Sequence, residues 1–343
     1  MELRTSQVGQ SPAFLDSIEL VGRAAALNRP VLVIGARGTG KELVAERLHH
    51  LSPRWEAPYV TLNCAALTET LIEAELFGHE AGAFTGATRA RAGLFEEADG
   101  GTLFLDELAT LSAGAQERLL RAIEYGEVTR IGSNRPVRVD VRVVAATNVH
   151  LPEMVAAGKF RADLLDRLAF EVITLPPLKA REGDIELLAD HFGRRMAAEL
   201  DWPKWVGFSA VALAAMVAHD WPGNVRELRN LVERAVYRWD PPGTAVGAIQ
   251  LDPFDSVWRP GTVVAYAPPA RTIEAAPGPA PAPAAPITDL RAAISNFEHD
   301  MLTQTLIRHR HNQRATAKAL NLSYDQLRHA LRRHGLISPA MDA

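Results

Sequence analysis

The sequence predicts an α/β domain with a mostly parallel sheet, a small helical domain after it, and a basic helix-turn-helix at the C-terminal end. From Pro30 to about Leu175, short apolar runs alternate with helix-patterned segments, as expected for strands that helices cover on both faces. After Pro176 and Pro177 the strand pattern stops and amphipathic helical stretches follow. The last block, from Thr288, is again helical and is rich in Arg and Lys.

Each expected element follows from a local pattern. The strands are VLVIG, YVTLNC, TLFLDE, VRVVAATN and FEVITL, and the helices between them include KELVAERLHHL and SAGAQERLLRAIEYG. The helical domain should contain three helices, at Asp184–Leu200, Ser209–His219 and Asn224–Arg238. In the last block, Asn312–Leu320 and Tyr324–His334 should form two helices around a turn, and Ser323 with Gln326 reads as a capping box.

These patterns divide the chain into four parts. We expect an α/β domain at 1–175, a helical domain at 176–254, a linker at 255–287 and a helix-turn-helix domain at 288–343. The linker is expected because alternating Pro and Ala favour extended polyproline-like conformers over helix or sheet. A chain of 343 residues with 47% hydrophobic residues has enough material for two or three cores.

The composition argues against several classes of protein. Cys64 is the only cysteine, so an internal disulfide and an all-cysteine zinc site are excluded. No apolar stretch approaches about 18 residues and no signal-peptide pattern opens the chain, so we expect a cytoplasmic protein without direct membrane insertion. The net charge is −4, yet seven basic residues and one acidic residue fall between Thr303 and His334, which suggests an appended nucleic-acid module.

A glycine-rich loop follows the first expected strand and opens a helix. Its residues are Gly35, Ala36, Arg37, Gly38, Thr39, Gly40 and Lys41. In this context backbone N–H groups can cradle phosphates and the lysine can reach them, so the loop reads as an ATP-binding P-loop rather than an ordinary Gly-rich turn. Glu42 stands where the usual motif has a hydroxyl residue, so Mg²⁺ would depend on other groups.

Two acidic residues end a later apolar strand. At that position the carboxylate of Asp106 can hold Mg²⁺, and the carboxylate of Glu107 can polarise the attacking water. Taken alone, two acids at a strand end could also form only a solvated turn. Their position downstream of a phosphate-binding loop favours the catalytic interpretation.

Two further pairs of residues are candidates for contact with the nucleotide. Thr147 and Asn148 end another strand at the edge where α/β proteins bind ligands, with a helix N-cap as the alternative. Arg161 and Arg167 could neutralise charge on a moving phosphate, also from a neighbouring subunit, or could simply form surface salt bridges.

Several motifs occur together in the order found in one known family. They are GARGTGKE, ELFGHEAGAFTGA, GGTLFLDE, AATN, FRADLLDRL and WPGNVREL. In these motifs, from about Ser11 to Asp252 and again in the C-terminal helices, the chain resembles the sigma-54-dependent AAA+ transcriptional activators. The resemblance implies an α/β fold of the AAA+ P-loop NTPase type with a parallel sheet, a small helical lid domain and a C-terminal Fis-type helix-turn-helix.

The resemblance also implies roles for individual residues. The residues assigned to hydrolysis are Asp106 (the Mg²⁺ ligand), Glu107 (water activation) and Asn63 (the hydrogen-bond partner of Glu107). Those assigned to ATP, beside the glycine-rich loop, are Lys41, Glu42, the first sensor pair Thr147 and Asn148, and the second sensor Arg226. Arg161 and Arg167 correspond to arginine fingers that act on a neighbour, which implies a closed homo-oligomeric ring, a hexamer in this family.

The most specific motif is a hexapeptide of small residues. It consists of Gly82, Ala83, Phe84, Thr85, Gly86 and Ala87. Two glycines predict a mobile loop with Phe84 and Thr85 at its tip, although an inert tight turn is the alternative. In the resembled family this loop contacts sigma-54. The implied function is an ATPase ring that remodels the closed promoter complex of sigma-54 RNA polymerase while bound to upstream enhancer DNA.

The C-terminal helices supply candidate DNA contacts. The residues expected to face DNA are Ser323, Tyr324, Gln326, Arg328, His329, Arg332 and Arg333. The residues expected to pack the helices together are Ala319, Leu322, Leu327 and Leu331. A basic helical hairpin without DNA-binding function is the alternative.

Regulation is expected to come from a separate protein. The glycine-rich loop begins at Gly35 and leaves no room for the receiver or ligand-sensing domain that most members of the resembled family place first. This arrangement resembles the members that activate phage-shock operons, so we expect an envelope-stress operon as the target. Trp55 is a candidate docking side chain for a negative regulator, or a Trp partly covered by its own domain.

Two other functions stay open at this level. A different AAA+ machine, such as a helicase or clamp loader, would share the loop, acids and sensors but has no reason to carry the hexapeptide. A repressor could use the helix-turn-helix and bind ATP without hydrolysing it, but Glu107 and the two arginines would then serve no purpose.

Overall fold

The computed structural model describes residues 7–84, 86–255, 289–309 and 312–336, without the side chain of Ala293. The chain divides into two compact units, Met1–Thr262 and Val263–Ala343. Apart from Asp255, the expected linker at 255–287 lies outside the described residues, as does Thr85.

The α/β part of the first unit contains every strand expected from the sequence. Its elements are α1 Pro12–Ala25, β1 Val31–Ile34, α2 Lys41–His50, β2 Tyr59–Asn63, α3 Glu69–Phe77, α4 Leu94–Glu97, β3 Thr102–Asp106, α5 Ala113–Tyr125, β4 Glu127–Thr129, β5 Pro136–Arg138, β6 Arg142–Thr147, α6 Leu151–Ala156, α7 Ala162–Leu168 and β7 Glu171–Thr174. The apolar runs correspond to β1, β2, β3, β6 and β7, while the antiparallel hairpin β4–β5 was not expected.

Five parallel strands form one sheet in the order β2-β3-β6-β1-β7. The register pairs Asn63 with Asp106 and Ile34 with Thr147. Because parallel strands end at the same edge, these pairs bring the polar strand ends together at the carboxyl edge of the sheet. The strand ends therefore lie where the sequence analysis expected a ligand site.

The sheet is buried on both faces, as the continuous apolar runs predicted. Along β3, Leu103 and Leu105 pack into the core on one side, whereas Phe104 packs into the core on the other side. The first core also contains Leu119 of α5, and the second contains Leu48 of α2. Successive side chains of a strand point to opposite faces, so one strand serves both cores.

A buried arginine closes the amino edge of the sheet. Arg142 at the start of β6 is 3% exposed, and its guanidinium donates to the carbonyl oxygens of Ala24 at 2.8 Å, Ala25 at 3.0 Å and Leu48 at 3.4 Å. These carbonyls belong to the last turn of α1 and the C-terminal half of α2. Burial lowers the pKa of Arg142 to about 10. The hydrogen bonds to carbonyl oxygens satisfy a cation whose burial would otherwise be costly.

The lid of the first unit consists of three helices close to the expected bounds. They are α8 Asp184–Glu199, α9 Ala210–Ala218 and α10 Asn224–Tyr237. The lid core surrounds Trp221, which is 1% exposed and donates from Nε1 to the carbonyl of Met216 at 2.8 Å. The side chain of Ser209 caps α9 by accepting from the N–H of Ala212.

The second unit contains three helices, α11 Leu290–Arg308, α12 Gln313–Ala319 and α13 Tyr324–Arg333. The capping box is confirmed: Ser323 Oγ accepts from Gln326 N, and Gln326 Oε1 accepts from Ser323 N. Two predicted core residues are also confirmed, because Leu327 and Leu331 are fully buried.

The other two core predictions for this unit are wrong. Ala319 and Leu322 are exposed, and the core instead takes Leu302 and Leu306 of α11 and Ala317 of α12. The prediction considered only the packing of α12 against α13. In the structure α11 also packs against α12, and the buried face of α12 therefore contains Ala317 rather than Ala319.

In the described ranges, which omit 256–288 among others, no helix combines the length and apolarity needed to span a bilayer.

Candidate functional site

The glycine-rich loop lies between β1 and α2 at the carboxyl edge of the sheet. Gly35 N–H donates to Thr147 O at 3.2 Å, which ties the loop to the end of β6. Gly38 and Gly40 have φ angles of 77° and 97°, a region that favours glycine. Gly40 precedes the first turn of α2, so the loop meets a helix N-terminus, where backbone N–H groups and the helix dipole favour anions.

Lys41 is buried inside this loop. Its Nζ donates to Gly35 O at 3.0 Å and Ala36 O at 3.4 Å, and the residue is 8% exposed. Burial lowers the pKa of Lys41, while the charges of Asp106 and Glu107 oppose this shift. The lysine is therefore a partly desolvated cation at the phosphate loop, close enough to both acids to feel their charges.

The two acids lie at the end of β3 in a constrained turn. Glu107 has φ 53°, an uncommon conformation for a non-glycine residue, and its N–H donates to Asp106 Oδ1 at 2.9 Å. The expected partner of Glu107, Asn63, is exposed, and its Oδ1 accepts from Ala65 N at 2.9 Å. Its hydrogen bond to Glu107 therefore stays a prediction.

The chemistry of this corner suits magnesium held together with phosphate. Within the described residues no group of three His, Cys, Asp or Glu side chains is arranged to hold a metal. Mg²⁺ is commonly bound by one or two carboxylates with phosphate oxygens and waters, rather than by an all-protein cage. A single ligand such as Asp106 next to a phosphate loop fits this pattern.

The end of β6 contains a buried hydroxyl. Thr147 is fully buried and its Oγ1 accepts from Val149 N at 3.1 Å, whereas Asn148 is exposed. The alternative interpretation as a helix N-cap is wrong, because α6 is preceded by His150, which makes no side-chain capping bond.

Both candidate arginine fingers form ion pairs on the surface of their own chain. Arg161 precedes α7 and pairs with Asp163 at 2.7 Å, and Arg167 pairs with Glu124 at 2.5 Å. All four side chains are at least one quarter exposed. Exposed ion pairs of this kind contribute little to the free energy of folding, so the guanidinium groups can leave their carboxylates and bind other anions.

The lid contacts the glycine-rich loop through one main-chain and one side-chain hydrogen bond. Arg226 N donates to Gly38 O at 3.3 Å, and Asn224 Nδ2 donates to Arg37 O at 2.9 Å. A Cβ on Gly38 would approach Gly223 O to 2.2 Å, so the contact has no room for a larger residue. Arg226 is thus carried to the phosphate loop by the turn at the start of α10.

Sequence analysis did not identify Asn224, although its side chain joins three segments. It is 2% exposed, and its Oδ1 accepts from Leu178 N at 2.9 Å while Nδ2 serves the loop. Its φ of 51° lies in the left-handed region, where Asn is enriched. An Asn following Pro-Gly was the only available signal.

A second element missed by sequence analysis is the strap, residues 7–11, before α1. Asp184 of the lid is fully buried and accepts from Gln10 N at 2.6 Å, Ser11 N at 3.0 Å and Ser11 Oγ at 3.0 Å. Arg181 pairs with Asp184 at 2.7 Å and donates to Val8 O at 3.0 Å. The strap is thereby fixed to the lid.

The strap, the glycine-rich loop and the lid enclose a cavity. Its lining is mainly apolar and includes Val8, Leu43, Val44, Val225 and Phe192. Thr39 and Gly40 also line it, so the cavity adjoins the phosphate loop. An apolar cavity beside a phosphate-binding loop suits a purine base.

Backbone hydrogen bonds join the described residues of the hexapeptide. Gly82 N donates to Ala87 O at 2.7 Å, and Ala87 N donates to Phe84 O at 3.0 Å. The Phe84 ring meets the His79 ring edge-on at 5.0 Å between centroids. Glu80 N donates to Ile131 O at 2.9 Å, so the segment before the hexapeptide is joined to the β4–β5 region.

On α13, the predicted DNA-facing residues lie largely on one exposed surface. Ser323, Gln326, His329 and Arg332 are exposed, and Arg328 is partly exposed. Two others contact their own unit: Tyr324 Oη donates to Gln313 Oε1 at 3.2 Å, and Arg333 pairs with Glu298 of α11. The structure thus presents a polar, mainly basic helix face.

Trp55 is 59% exposed, and the neighbouring Leu51 is 51% exposed. The indole is therefore partly covered by its own domain, as the alternative interpretation states, and its exposed part also allows the docking role.

Comparison with known proteins gives three matching family models. The sigma-54 interaction domain matches residues 7–174, the AAA+ ATPase lid domain matches 179–253, and the Fis family of bacterial regulatory proteins matches 293–334.

Similar proteins agree with these models. The Psp operon transcriptional activator of Escherichia coli strain K12 is 48% identical over 333 residues, which is 97% of this chain and 99% of that protein. The transcriptional regulatory protein ZraR of Salmonella typhimurium is 53% identical over 67% of this chain and 52% of its own length. The crystal structure of NtrX from Brucella abortus in complex with ATP has a TM-score of 0.67 at 33% identity, and covers 97% of this chain and 70% of that chain.

Proposed function

The chain belongs to the sigma-54-dependent AAA+ transcriptional activators, and we propose from this how its ATPase opens promoters. The protein is an ATPase with a Fis-type DNA-binding domain. In our proposal the ATPase subdomain is 1–175, the lid 176–254, the linker 255–287 and the DNA-binding domain 288–343.

ATP would bind with its phosphates on the loop Gly35–Lys41 and its base in the cavity behind the strap. Lys41 would hold the phosphates, and its present bonds to Gly35 O and Ala36 O would give way to phosphate oxygens. Asp106 would hold Mg²⁺, which supplies charge neutralisation on the phosphates when bound. Glu107 would accept a proton from the attacking water.

Several residues would sense the state of the nucleotide. Asn63 would bond Glu107, Thr147 and Asn148 would face the γ-phosphate at the end of β6, and Arg226 would contact phosphate from the lid. The last role is supported by Arg226 N lying 3.3 Å from Gly38 O. Hydrolysis would then change how firmly the lid contacts the glycine-rich loop.

The protein would work as a homo-oligomeric ring, a hexamer in our proposal. Arg161 and Arg167 point to this because they are exposed and lie on or next to α7, where their partners are only surface carboxylates. A guanidinium inserted into a neighbour's site would stabilise charge in phosphoryl transfer. Such head-to-tail contacts close into rings.

The observation that carries the remodelling proposal is the set of backbone hydrogen bonds among Gly82, Phe84 and Ala87 of the hexapeptide. The hexapeptide is also joined through Glu80 to the β4–β5 region of the ATPase core. Movement in that core could therefore displace the hexapeptide as a unit. We propose that Phe84 and Thr85 of this loop contact sigma-54 in the closed promoter complex of the polymerase.

DNA binding and regulation complete the proposal. The exposed face of α13 would bind an upstream enhancer, and the target would be a phage-shock or envelope-stress operon, by analogy with the E. coli Psp operon activator. A separate negative regulator would dock at Trp55 and Leu51, whose exposed apolar side chains support an interaction surface. ATP, Mg²⁺, sigma-54 polymerase and enhancer DNA are then the ligands and partners of the protein.

The experiment that tests this function is Thr85→Ala in a purified promoter-opening assay. We expect ATP turnover and DNA binding to stay near the parent values, while open-complex formation by sigma-54 polymerase falls to background. Thr88→Ala is the matched control, because Thr88 is an exposed threonine immediately after the hexapeptide. If Thr85→Ala opens promoters as well as the parent protein, the loop does not couple hydrolysis to sigma-54.

A further inference from the structure

The cavity behind the strap is lined by a glutamine whose buried side-chain atoms have no hydrogen-bond partner among the described residues, and which the mechanism above does not use. Gln7 lines this cavity together with Leu43, Val44 and Val225. Both its Nε2 and its Oε1 are buried, and neither has a hydrogen-bond partner among the described residues. Native proteins leave few buried polar atoms unpaired, because each costs about 1–3 kcal/mol. A carboxamide in this state is suited to pair with a ligand.

The backbone next to Gln7 is held firmly. Val8 O accepts from Arg181 at 3.0 Å, and the N–H groups of Gln10 and Ser11 donate to the fully buried Asp184. Gly9 packs so closely that a Cβ there would lie 2.4 Å from the Phe14 ring. The Gln7 side chain therefore projects from a fixed main chain, which is what a specificity-determining residue needs.

The chemistry of the cavity indicates what Gln7 pairs with. Thr39 and Gly40 of the phosphate loop line the same cavity, so a nucleotide with phosphates on the loop would place its base against Leu43, Val44 and Val225. Adenine has an N6 amino donor next to a ring-nitrogen acceptor, and a carboxamide has the complementary acceptor and donor.

We propose that the carboxamide of Gln7 recognises the adenine base, with Oε1 accepting from the N6 amino group and Nε2 donating to the adjacent ring nitrogen. This assignment rests on the proposed ATPase function. It gives the site a preference for nucleotides with an N6 amino group, in addition to the phosphate contacts that every nucleotide would share.

The test combines a change in the protein with a change in the ligand. Parent protein and Gln7→Leu are each titrated calorimetrically with ADP and with purine riboside diphosphate, which lacks only the N6 amino group. The parent should bind ADP roughly 3- to 10-fold more tightly than the purine analogue, as expected for the loss of the one hydrogen bond that N6 donates to Oε1. In Gln7→Leu this ratio should fall to about 1, and Gln10→Leu, which changes an exposed glutamine of the same strap, should keep the parent ratio.

The outcomes separate this inference from the function on which it rests. A Gln7→Leu protein that keeps the parent preference would overturn the role of Gln7, because another group would then read N6. Equal binding of both ligands by the parent protein overturns it as well, and this arm needs no variant to fold. Failure of the parent to bind ADP at all would instead refute the nucleotide site itself.

Discussion

Replacing Asn224 should separate the lid from the phosphate loop. The Asn224 side chain donates to Arg37 O and accepts from Leu178 N, both at 2.9 Å, and it is buried. Asn224→Gly removes both bonds but tolerates the backbone φ of 51°, whereas Asn224→Ala removes the bonds and also strains the backbone. The pair of variants therefore divides the effect into side-chain and backbone contributions.

The expected magnitude follows from these contacts. Two net hydrogen bonds contribute about 1–3 kcal/mol, and the buried N–H of Leu178 left without its partner favours the upper part of this range. Asn224→Gly should therefore lower the free energy of unfolding by about 1–3 kcal/mol, and Asn224→Ala by roughly 1–2 kcal/mol more. For a domain of this size, the glycine variant should melt about 2–12 °C below the parent.

Denaturant unfolding measures the stability, and ADP titration measures the consequence for the site. Both variants should bind ADP more weakly. Arg226 lies two residues after Asn224 in the same turn, so loss of the Asn224 bonds should move Arg226 away from the phosphate loop. Asn230→Ala, at an exposed position of the same helix, should leave stability within about 0.5 kcal/mol of the parent. A glycine variant as stable as the parent would show that Asn224 does not hold the lid on the loop.

Three further outcomes are expected. Glu107→Gln should still bind ATP but hydrolyse it roughly 10²–10⁴-fold more slowly in a phosphate-release assay, and near-parent turnover would remove Glu107 as the base. Mixing Arg167→Ala subunits with Lys41→Ala subunits should restore some turnover, because one kind of interface then combines an intact lysine with an intact arginine. If the mixtures hydrolyse ATP as slowly as either variant alone, action in trans is refuted. Burial raises the pKa of Asp184, but the hydrogen bonds from Gln10 N–H, Arg181 and Ser11 lower it by more than burial raises it. The net shift of the pKa is therefore downward. Its contribution to stability is therefore present above the unfolded pKa of about 3.9 and is lost as the pH falls through the folded value, so melting of Asp184→Asn should depend less on pH in that acidic range than melting of the parent.

Much of the fold could be predicted because its signals are local. In TLFLDE the apolar residues Leu103, Phe104 and Leu105 are consecutive, as expected for a strand buried on both faces, and Ser323 with Gln326 identifies a helix start through bonds three residues apart. The hairpin β4–β5 was missed because its strands have three residues each and show no long apolar run. Once the strands are parallel, their carboxyl ends lie at one edge, so the position of Asp106 beside the glycine-rich loop follows from the strand predictions alone.

The parts of the site that could not be predicted depend on contacts distant in sequence. Asp184 bonds the strap across 173 residues, and Asn224 bonds Arg37 across 187. Nothing in the sequence near Gln10, Ser11 or Asp184 indicates that these residues are hydrogen-bonded to one another. The packing of Ala319 and Leu322 was predicted wrongly for a related reason, since it depended on where α11 lies.

The buried Arg142 has a consequence for the direction of the electric field inside the ATPase core. Helix α2 has 10 residues and is about 15 Å long, with its N-terminus at the phosphate loop and a carbonyl of its C-terminal half bonded to Arg142. Helix dipoles place partial positive charge at the N-terminus and partial negative charge at the C-terminus. Because the guanidinium offsets the negative ends of α2 and α1, it weakens the negative potential of these helix ends on the side of the sheet away from the phosphate loop. The core is thus polarised toward the edge where an anionic ligand would bind.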